Sequence, residues 1–442
     1  MKIQLSEHFT LRKLLRFTLP SIIMMIFTSI YGVVDGFFVS NFVGKTPFAA
    51  VNFIMPFLMM LGAIGFMFGT GGSALIAKTM GEGDKEKAKR LFSLFVYVSF
   101  AVAVVIATLG IVFIRPIAAL LGAEGELLDN SVVYGRIILI AIPAYVLQYE
   151  FQSFFVAAEK PQLGLAVTIA AGVTNMVLDA LLVAVFPFGL KGAAAATALS
   201  QFVGGVIPLI YFSRKNTSLL RLTKTNYDNK ALIKVCTNGS SELMSNISMS
   251  LVSMLYNAQL IKYAGENGVA AYGTMMYVNL VFLAMFIGYS VGSAPIFSYH
   301  FGAKNGSELR GLLKKSLAII GVFSGTMLAA AELLAKPLSK LFVGYDQELF
   351  DLTLHGFVIF SFSFLFAGIA IFGSSFFTAL NDGLTSALIS FLRTLVFQIS
   401  AVLLFPIIWG IDGIWYSLIA AEFMAALVTG LFIIGKRKRY GY

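Results

Sequence analysis

Twelve apolar runs, each long enough to cross a membrane, recur along the whole 442-residue chain. A transmembrane helix needs about 20 apolar residues to cross a hydrocarbon core of about 30 Å. The runs are continuous rather than alternating, which favours helices over the strands of a membrane barrel. We therefore predict an all-α integral membrane protein with twelve spans, placed at Leu15–Val39, Phe48–Ile76, Leu91–Phe113, Val132–Ala157, Leu163–Phe186, Gly192–Phe212, Leu232–Ile261, Ala270–Ser298, Leu312–Leu334, Leu352–Ala379, Leu384–Ile408 and Ile414–Ile434.

Composition agrees with this class of protein. Hydrophobic residues make up 58% of the chain and charged residues only 12%, which is more apolar surface than a soluble domain of this size can bury. The lipid bilayer is therefore the first expected partner of the chain.

The formal net charge of +10 is unevenly placed along the sequence. Cytoplasmic loops of membrane proteins are enriched in Lys and Arg, so this placement indicates orientation in a membrane rather than binding of nucleic acid. We predict a multi-pass protein of the cytoplasmic (inner) membrane with both termini in the cytoplasm. The basic clusters lie at residues 78–90, 214–234, 304–315 and 436–439.

The two halves of the chain resemble each other when one is shifted onto the other by half the chain length. Matching glycines and prolines indicate matching backbones, because these residues set turns, breaks and close helix contacts. Six spans per half give both halves the same orientation, so the lobes are related by a parallel pseudo-two-fold axis, an arrangement suited to alternating access. We predict an N-terminal lobe at 1–213, a cytoplasmic linker at 214–231 and a C-terminal lobe at 232–442. The matches include Gly71 with Gly292, Gly81 with Gly302, Pro116 with Pro337 and Gly189 with Gly410.

Several functional classes are excluded by what the sequence lacks. The single cysteine, Cys236, allows no disulfide within the chain, and the three histidines are not spaced as zinc ligands. No nucleotide-binding motif stands in a suitable context. We therefore predict a protein that is not an enzyme and that needs no cofactor.

Two acidic residues lie well inside predicted spans of the first half, Asp35 and Asp179. An ionisable side chain in mid-membrane is costly and therefore a candidate functional group. Asn175 precedes Asp179 by one helical turn and shares its face. Two neighbouring carboxylates repel, which favours holding a proton, whereas the oxygens of Asn175 and Thr197 favour Na⁺ as a hard cation.

The acids have no acidic counterparts at the matching positions of the second half. An ion site at Asp35 and Asp179 would therefore belong to the first lobe alone. The alternative is that both acids only form hydrogen bonds between helices.

A third interior acid, Glu150, is flanked by Gln148 and Gln152. Glu150 either binds an organic cation or pairs with Arg136 or Arg393. Together with Asn257, these three residues are the candidates for lining a cargo cavity. The aromatic content of 14% suits a cavity that accepts varied cations.

The chain resembles the MATE (multidrug and toxic compound extrusion) transporters, and within them the MepA-like and DinF-like bacterial branch. The resemblance rests on Pro20 followed fifteen residues later by Asp35, on the segment from Thr174 to Asp179 with Thr197 beyond it, and on the glycine-rich stretch at residues 69–73 with Gly81-Glu82-Gly83-Asp84 after it.

The resemblance implies that Asp35, Asn175, Asp179 and Thr197 form a site for H⁺ or Na⁺, and that Pro20 lets the first helix bend. It also implies a secondary antiporter that exports small amphiphilic, mainly cationic compounds. We expect a monomer. The competing functions are flipping of lipid-linked precursors and, further away, a receptor or channel without coupled exchange.

Overall fold

The computed structural model describes residues 3–344 and 346–442, and these residues form helices and connecting segments without a β-strand. The first half contains α1 (Leu11–Phe42), α2 (Lys45–Gly81), α3 (Lys85–Leu120), α4 (Gly125–Ala157), α5 (Pro161–Asp179), a π-helical segment (Ala180–Val185) and α6 (Gly189–Ser213). The second half contains α7 (Asn229–Gly302), α8 (Gly306–Val343), α9 (Gln347–Ser361), α10 (Phe364–Ala379), α11 (Gly383–Phe391), a π-helical segment (Leu392–Phe397), α12 (Gln398–Trp409), α13 (Ile411–Gly435) and α14 (Arg437–Tyr440).

The long helix α7 is two membrane spans. Its 74 residues would extend about 110 Å at 1.5 Å per residue, far more than a bilayer requires. The break is at Gly265, whose φ of 59° and ψ of −150° belong to a backbone region that glycine enters readily. Residues on either side of Gly265 therefore cross the membrane in opposite directions.

Counted in this way, the described chain has twelve spans. Ten helices, with α7 counted once, are long and apolar enough to cross a membrane, and α9 with α10 forms one further span bent by 51°. Dividing α7 at Gly265 adds the twelfth. The predicted all-α architecture of two six-helix lobes is confirmed.

The observed helices are longer than the predicted apolar runs because polar caps extend them. The Thr10 hydroxyl accepts a hydrogen bond from the Lys13 N–H at the start of α1, and Asp84 and Asn305 cap α3 and α8 in the same manner. Such caps satisfy backbone donors that a helix end leaves free.

The internal repeat is visible in the backbone itself. Gly44 and Gly265 have φ values of 104° and 59°, and Gly189 and Gly410 have values of 59° and 56°. The members of each pair are separated by half the chain length and mark the same turn in the two lobes. These left-handed positions explain why glycines dominate the sequence match.

The two lobes meet closely near the face of the molecule on which the chain termini lie, here called the terminal face. A Cβ atom added at Gly81 would lie 2.0 Å from the Tyr299 carbonyl oxygen, and one added at Gly302 would lie 2.0 Å from the Lys78 carbonyl oxygen. These two contacts are related by the repeat. The backbones of α2 and α7 therefore touch across the pseudo-two-fold axis at positions that only glycine allows.

A small cavity lies between the lobes on this side. Its volume is about 10 Å³, and it is lined by Thr70, Ser73, Ser153, Glu242, Val291, Ala294, Ser375 and Thr378. That volume accommodates about one water molecule. In the described part of the chain, the backbone contacts at Gly81 and Gly302 close the lobes toward the terminal face.

The C-terminal residues fold back onto the connection between α10 and α11. Lys436 Nζ and the Tyr440 hydroxyl donate hydrogen bonds of 2.7 and 2.8 Å to Asp382 Oδ2. Partial burial raises the pKa of Asp382, but the hydrogen bonds from Lys436, Thr385 and Tyr440 outweigh burial and leave the pKa below its usual value. Asp382 is therefore a stabilising carboxylate at neutral pH.

Candidate functional site

Three helices of the first lobe bring the predicted ion-site residues together. Asp35 lies in α1, Asn175 and Asp179 lie in the last turn and a half of α5, and Thr197 lies in α6. Asp179 is the final residue of α5, directly before the π-helical segment Ala180–Val185. Such π-helical insertions often occur at functional sites because they redirect side chains and free backbone groups.

The side chains converge on the Asp35 carboxyl group. The Thr197 hydroxyl donates a hydrogen bond of 3.3 Å to Asp35 Oδ1, and the side chains of Asn175 and Asp179 lie beside the same carboxyl. Asp179 is fully buried and Asn175 is 2% exposed, whereas Asp35 and Thr197 are half-buried. The group thus has a buried base and a partly open side.

Several oxygens of this group lack donors in the described part of the chain. Both carboxylate oxygens of Asp179 and the amide oxygen of Asn175 are buried without a hydrogen-bond donor. No Lys or Arg among the described residues contributes a charge to Asp35 or Asp179. Buried polar atoms are normally satisfied, so this set of oxygens is suited to a proton or to a hard cation.

The described residues contain no cluster of three His, Cys, Asp or Glu side chains that would hold a metal ion. The predicted ion site has two carboxyl groups, and its other oxygens come from an amide and a hydroxyl group. This composition differs from that of a transition-metal site, which uses imidazole or thiolate ligands.

Two tyrosines that the sequence analysis did not single out adjoin the predicted ion site. Tyr134 of α4 lies beside both carboxyl groups and within hydrogen-bonding reach of Thr197. Tyr31 faces Asp35 and contacts Gln148 and Tyr149. Tyr31 precedes Asp35 by four residues, so the sequence already indicated that the two side chains share one face of α1. Tyr134 lies far from the acids in the sequence, and only the packing of α4 brings it beside them.

The predicted cargo-cavity residues occupy different environments. Glu150 is fully buried and accepts a hydrogen bond of 2.5 Å from the Ser99 hydroxyl, while its backbone packs against Gly69. The Gln152 amide donates to the Thr168 hydroxyl at 3.4 Å. The structure therefore places Glu150 and Gln152 within the packing of the first lobe.

The other two cavity candidates differ in burial. Gln148 is only 4% exposed and lies beside Tyr31, whereas Asn257 is half-buried in α7. In the described part of the chain, neither Arg136 nor Arg393 pairs with Glu150. Arg393 instead binds Glu422 through both carboxylate oxygens, with Nε–Oε2 and Nη2–Oε1 distances of 2.8 and 2.9 Å.

Pro20 lies inside α1, which runs unbroken from Leu11 to Phe42. A proline removes one backbone hydrogen bond and thereby weakens a helix locally. The residues around it form part of the contact between lobes, because Ser21 and Ile22 pack against Gly288. Pro20 therefore marks a point where bending of α1 would alter the interface.

A family model named MatE matches residues 20–181 and again residues 243–404. The chain belongs to the MatE family. One matched segment lies within each lobe, so the same family model matches both halves of the duplicated chain. The first segment includes three of the four predicted ion-site residues, and the fourth, Thr197, lies after it.

Similar proteins extend over nearly the full chain. "Multidrug export protein MepA" of Staphylococcus haemolyticus (strain JCSC1435) is 24% identical over 98% of this chain and 95% of its own length. The protein of the same name from Staphylococcus aureus (strain MSSA476) is also 24% identical, over 97% of this chain and 94% of its own.

Solved structures show the same fold at 22% identity. "Crystal structure of MATE in the straight conformation" has a TM-score of 0.92 and covers 99% of this chain and 97% of its own. "Crystal structure of MATE in the bent conformation" has a TM-score of 0.88 and covers 98% and 97%. A MOP superfamily transporter from Pyrococcus furiosus has a TM-score of 0.90 and covers 99% and 97%.

Proposed function

We propose that this protein is a secondary active antiporter that exports small amphiphilic, mainly cationic compounds in exchange for H⁺ or Na⁺. Membership of the MatE family and the names of the MepA relatives support export of varied compounds. The single observation that supports ion coupling is the pair formed by Asp35 and Asp179, two adjoining carboxyl groups without a basic partner among the described residues.

The proposed ion site works through competition between charge states. With both carboxyl groups ionised and no ion bound, their repulsion in a low-dielectric surrounding is costly. A proton or a Na⁺ ion bound between them removes that cost, and Thr197 and Asn175 supply further oxygens. Binding and release of the ion therefore change the packing energy of α1 against α5.

Alternating access couples this local change to cargo. The two lobes rock about the pseudo-two-fold axis, and the closed terminal face corresponds to one end state. We propose that the terminal face is cytoplasmic, on the basis of its Lys and Arg content, and that cargo leaves on the opposite side. Gln148 and Asn257 are the proposed cargo contacts, and Glu150 and Gln152 support the helix that positions Gln148.

The test is ion-gradient-driven efflux of a cationic dye such as ethidium from vesicles containing the purified protein. Asp35→Asn and Asp179→Asn should each abolish the gradient-dependent component, because an amide neither binds and releases a proton nor supplies the negative charge that balances Na⁺. Asp351→Asn, at an exposed position in α9, is the matched control and should transport normally. Full gradient-driven efflux by both ion-site variants would refute the coupling role.

The same vesicles distinguish the two ions. A proton gradient and a Na⁺ gradient are imposed separately, and dye movement is measured with each. If only one of the two gradients drives efflux, that gradient identifies the coupling ion. If neither gradient drives efflux, the antiport proposal is contradicted.

A further inference from the structure

A short segment before α1 joins the two lobes at the terminal face. This segment, residues 3–10, is called the N-terminal strap. The Leu5 N–H donates a hydrogen bond of 2.8 Å to Glu159 Oε1, and the Phe9 N–H donates one of 2.9 Å to Glu308 Oε1. Glu159 lies between α4 and α5 of the first lobe, whereas Glu308 lies in the first turn of α8 in the second lobe.

The anchor on the second lobe is the more elaborate of the two. His8 Nδ1 lies 2.6 Å from Glu308 Oε2, and Lys315 Nζ donates a hydrogen bond of 2.5 Å to the Phe9 carbonyl oxygen. The Phe9 side chain is fully buried and its ring meets the His300 ring edge-on at 6.5 Å. Charge-assisted hydrogen bonds of this kind are stronger than neutral ones, and the buried ring adds apolar contact.

The linker before α7 has a related arrangement: it leads into the second lobe but is bound to a helix of the first lobe. The Thr223 N–H donates a hydrogen bond of 2.8 Å to Ser93 Oγ, and the Thr225 hydroxyl donates one of 2.9 Å to the Arg90 carbonyl oxygen. Ser93 and Arg90 lie in α3, which is the counterpart of α8 in the repeat. Each lobe is therefore entered by a segment that is bound to the opposite lobe.

The geometry of the N-terminal strap limits how far the lobes can part. Leu5 and Phe9 are four residues apart, and four residues of fully extended chain span at most about 14 Å. If the terminal face opens, the attachment to Glu159 and the attachment to Glu308 cannot both persist beyond that reach. The described hydrogen bonds between the linker and α3 involve no carboxylate, so this attachment differs in strength from that of the N-terminal strap.

We propose that the N-terminal strap is a latch that holds the terminal face closed, and that its attachment to Glu308 is released when this face opens. The proposal rests on alternating access as described above. It adds a specific conformational role for Glu308, His8 and Lys315, none of which belongs to the ion site.

The test measures the separation of the lobes at the terminal face directly. Spin labels are attached to Lys87→Cys in α3 and Arg310→Cys in α8, both exposed positions, in a Cys236→Ser background. Distance distributions are then recorded by pulsed electron paramagnetic resonance in lipid nanodiscs. The labelled parent should show mainly the short distance of the closed face.

Glu308→Ala removes the acceptor for both His8 and the Phe9 N–H. We expect the ratio of open to closed molecules to rise about tenfold, which corresponds to about 1.4 kcal/mol. Glu348→Ala is the matched control, because Glu348 also lies in the first turn of a helix but is exposed and distant from the strap; it should leave the distribution unchanged.

His8→Ala provides a milder variant, since the His8 side chain is 69% exposed and its removal leaves no internal cavity. We expect a rise of about threefold in the same ratio. Unchanged distances in His8→Ala, together with unchanged distances in any Glu308→Ala protein that folds, would overturn the latch. These measurements need neither cargo nor an ion gradient, so their failure is distinguishable from failure of the coupling role of Asp35 and Asp179.

Discussion

Replacing Gly81 by alanine is the most direct perturbation of the contact between the lobes. The new Cβ atom would lie 2.0 Å from the Tyr299 carbonyl oxygen, whereas ordinary contact begins at 3.4 Å. The backbones of α2 and α7 must therefore separate locally by the difference between these two distances. Because the opposing atom is backbone, a side-chain rotation cannot relieve the overlap.

The energetic consequence follows from the cost of overpacking. Inserting a methyl group into a close-packed contact typically costs about 1–3 kcal/mol. Since the clash exists only while the terminal face is closed, this cost shifts the population toward the open state by about 5-fold to 150-fold. Gly302→Ala meets the Lys78 carbonyl oxygen at the same 2.0 Å and should have a similar effect.

The assay is the distance distribution between labels on α3 and α8, recorded for Gly81→Ala beside two controls. Gly321→Ala and Gly430→Ala introduce the same methyl group at helical positions where nothing lies within 4 Å. Alanine is the better helix former by about 1 kcal/mol, so the controls should be neutral or slightly more stable. If Gly81→Ala behaves as these controls do, the close contact does not govern opening of the terminal face.

Two further predictions concern stability in detergent, measured by thermal unfolding. Arg393→Leu should destabilise the protein by about 3–5 kcal/mol, because it leaves Glu422 buried without its partner. The double variant that also carries Glu422→Leu should recover most of that loss. Equal losses of stability in the single and double variants would contradict the explanation. Because the pKa of Asp382 is lowered in the folded state, its contribution to stability is present above its unfolded pKa of about 3.9 and is lost as the pH falls through the lowered folded value. Asp382→Asn should therefore reduce the loss of stability between pH 6 and pH 3 that the parent protein shows, and an identical loss in both proteins would refute this.

Much of the architecture was predictable because it depends on local properties of the chain. Apolar runs of membrane length appear in the sequence, and glycines that recur after half the chain length share left-handed backbone angles. The helix ends were less predictable. Caps such as Asp84 and Asn305 are polar residues outside the hydrophobic runs, so hydropathy alone predicted helices that begin too late in the chain.

The grouping of Asp35, Asn175, Asp179 and Thr197 was predictable from the sequence, but the residues that surround them were not. A carboxylate within an apolar span is conspicuous in any sequence, and the four-residue spacing placed Asn175 and Asp179 on one face of α5. Tyrosines do not stand out in the same way, since they suit lipid interfaces as well as buried sites. Tyr134 was therefore identified only by its position beside the acids.

What the sequence by itself determined is the number of spans, their duplication and the confinement of the paired acids to the first lobe, because hydropathy, glycine spacing and ionisable residues are properties of single positions or short windows. Only the tertiary structure decided that Arg393 binds Glu422 rather than Glu150, that Gly81 and Gly302 meet across the pseudo-two-fold axis, and that Phe9 is held by Glu308. Those contacts join residues far apart in the chain, and their energies depend on which helices pack together, which no local pattern specifies.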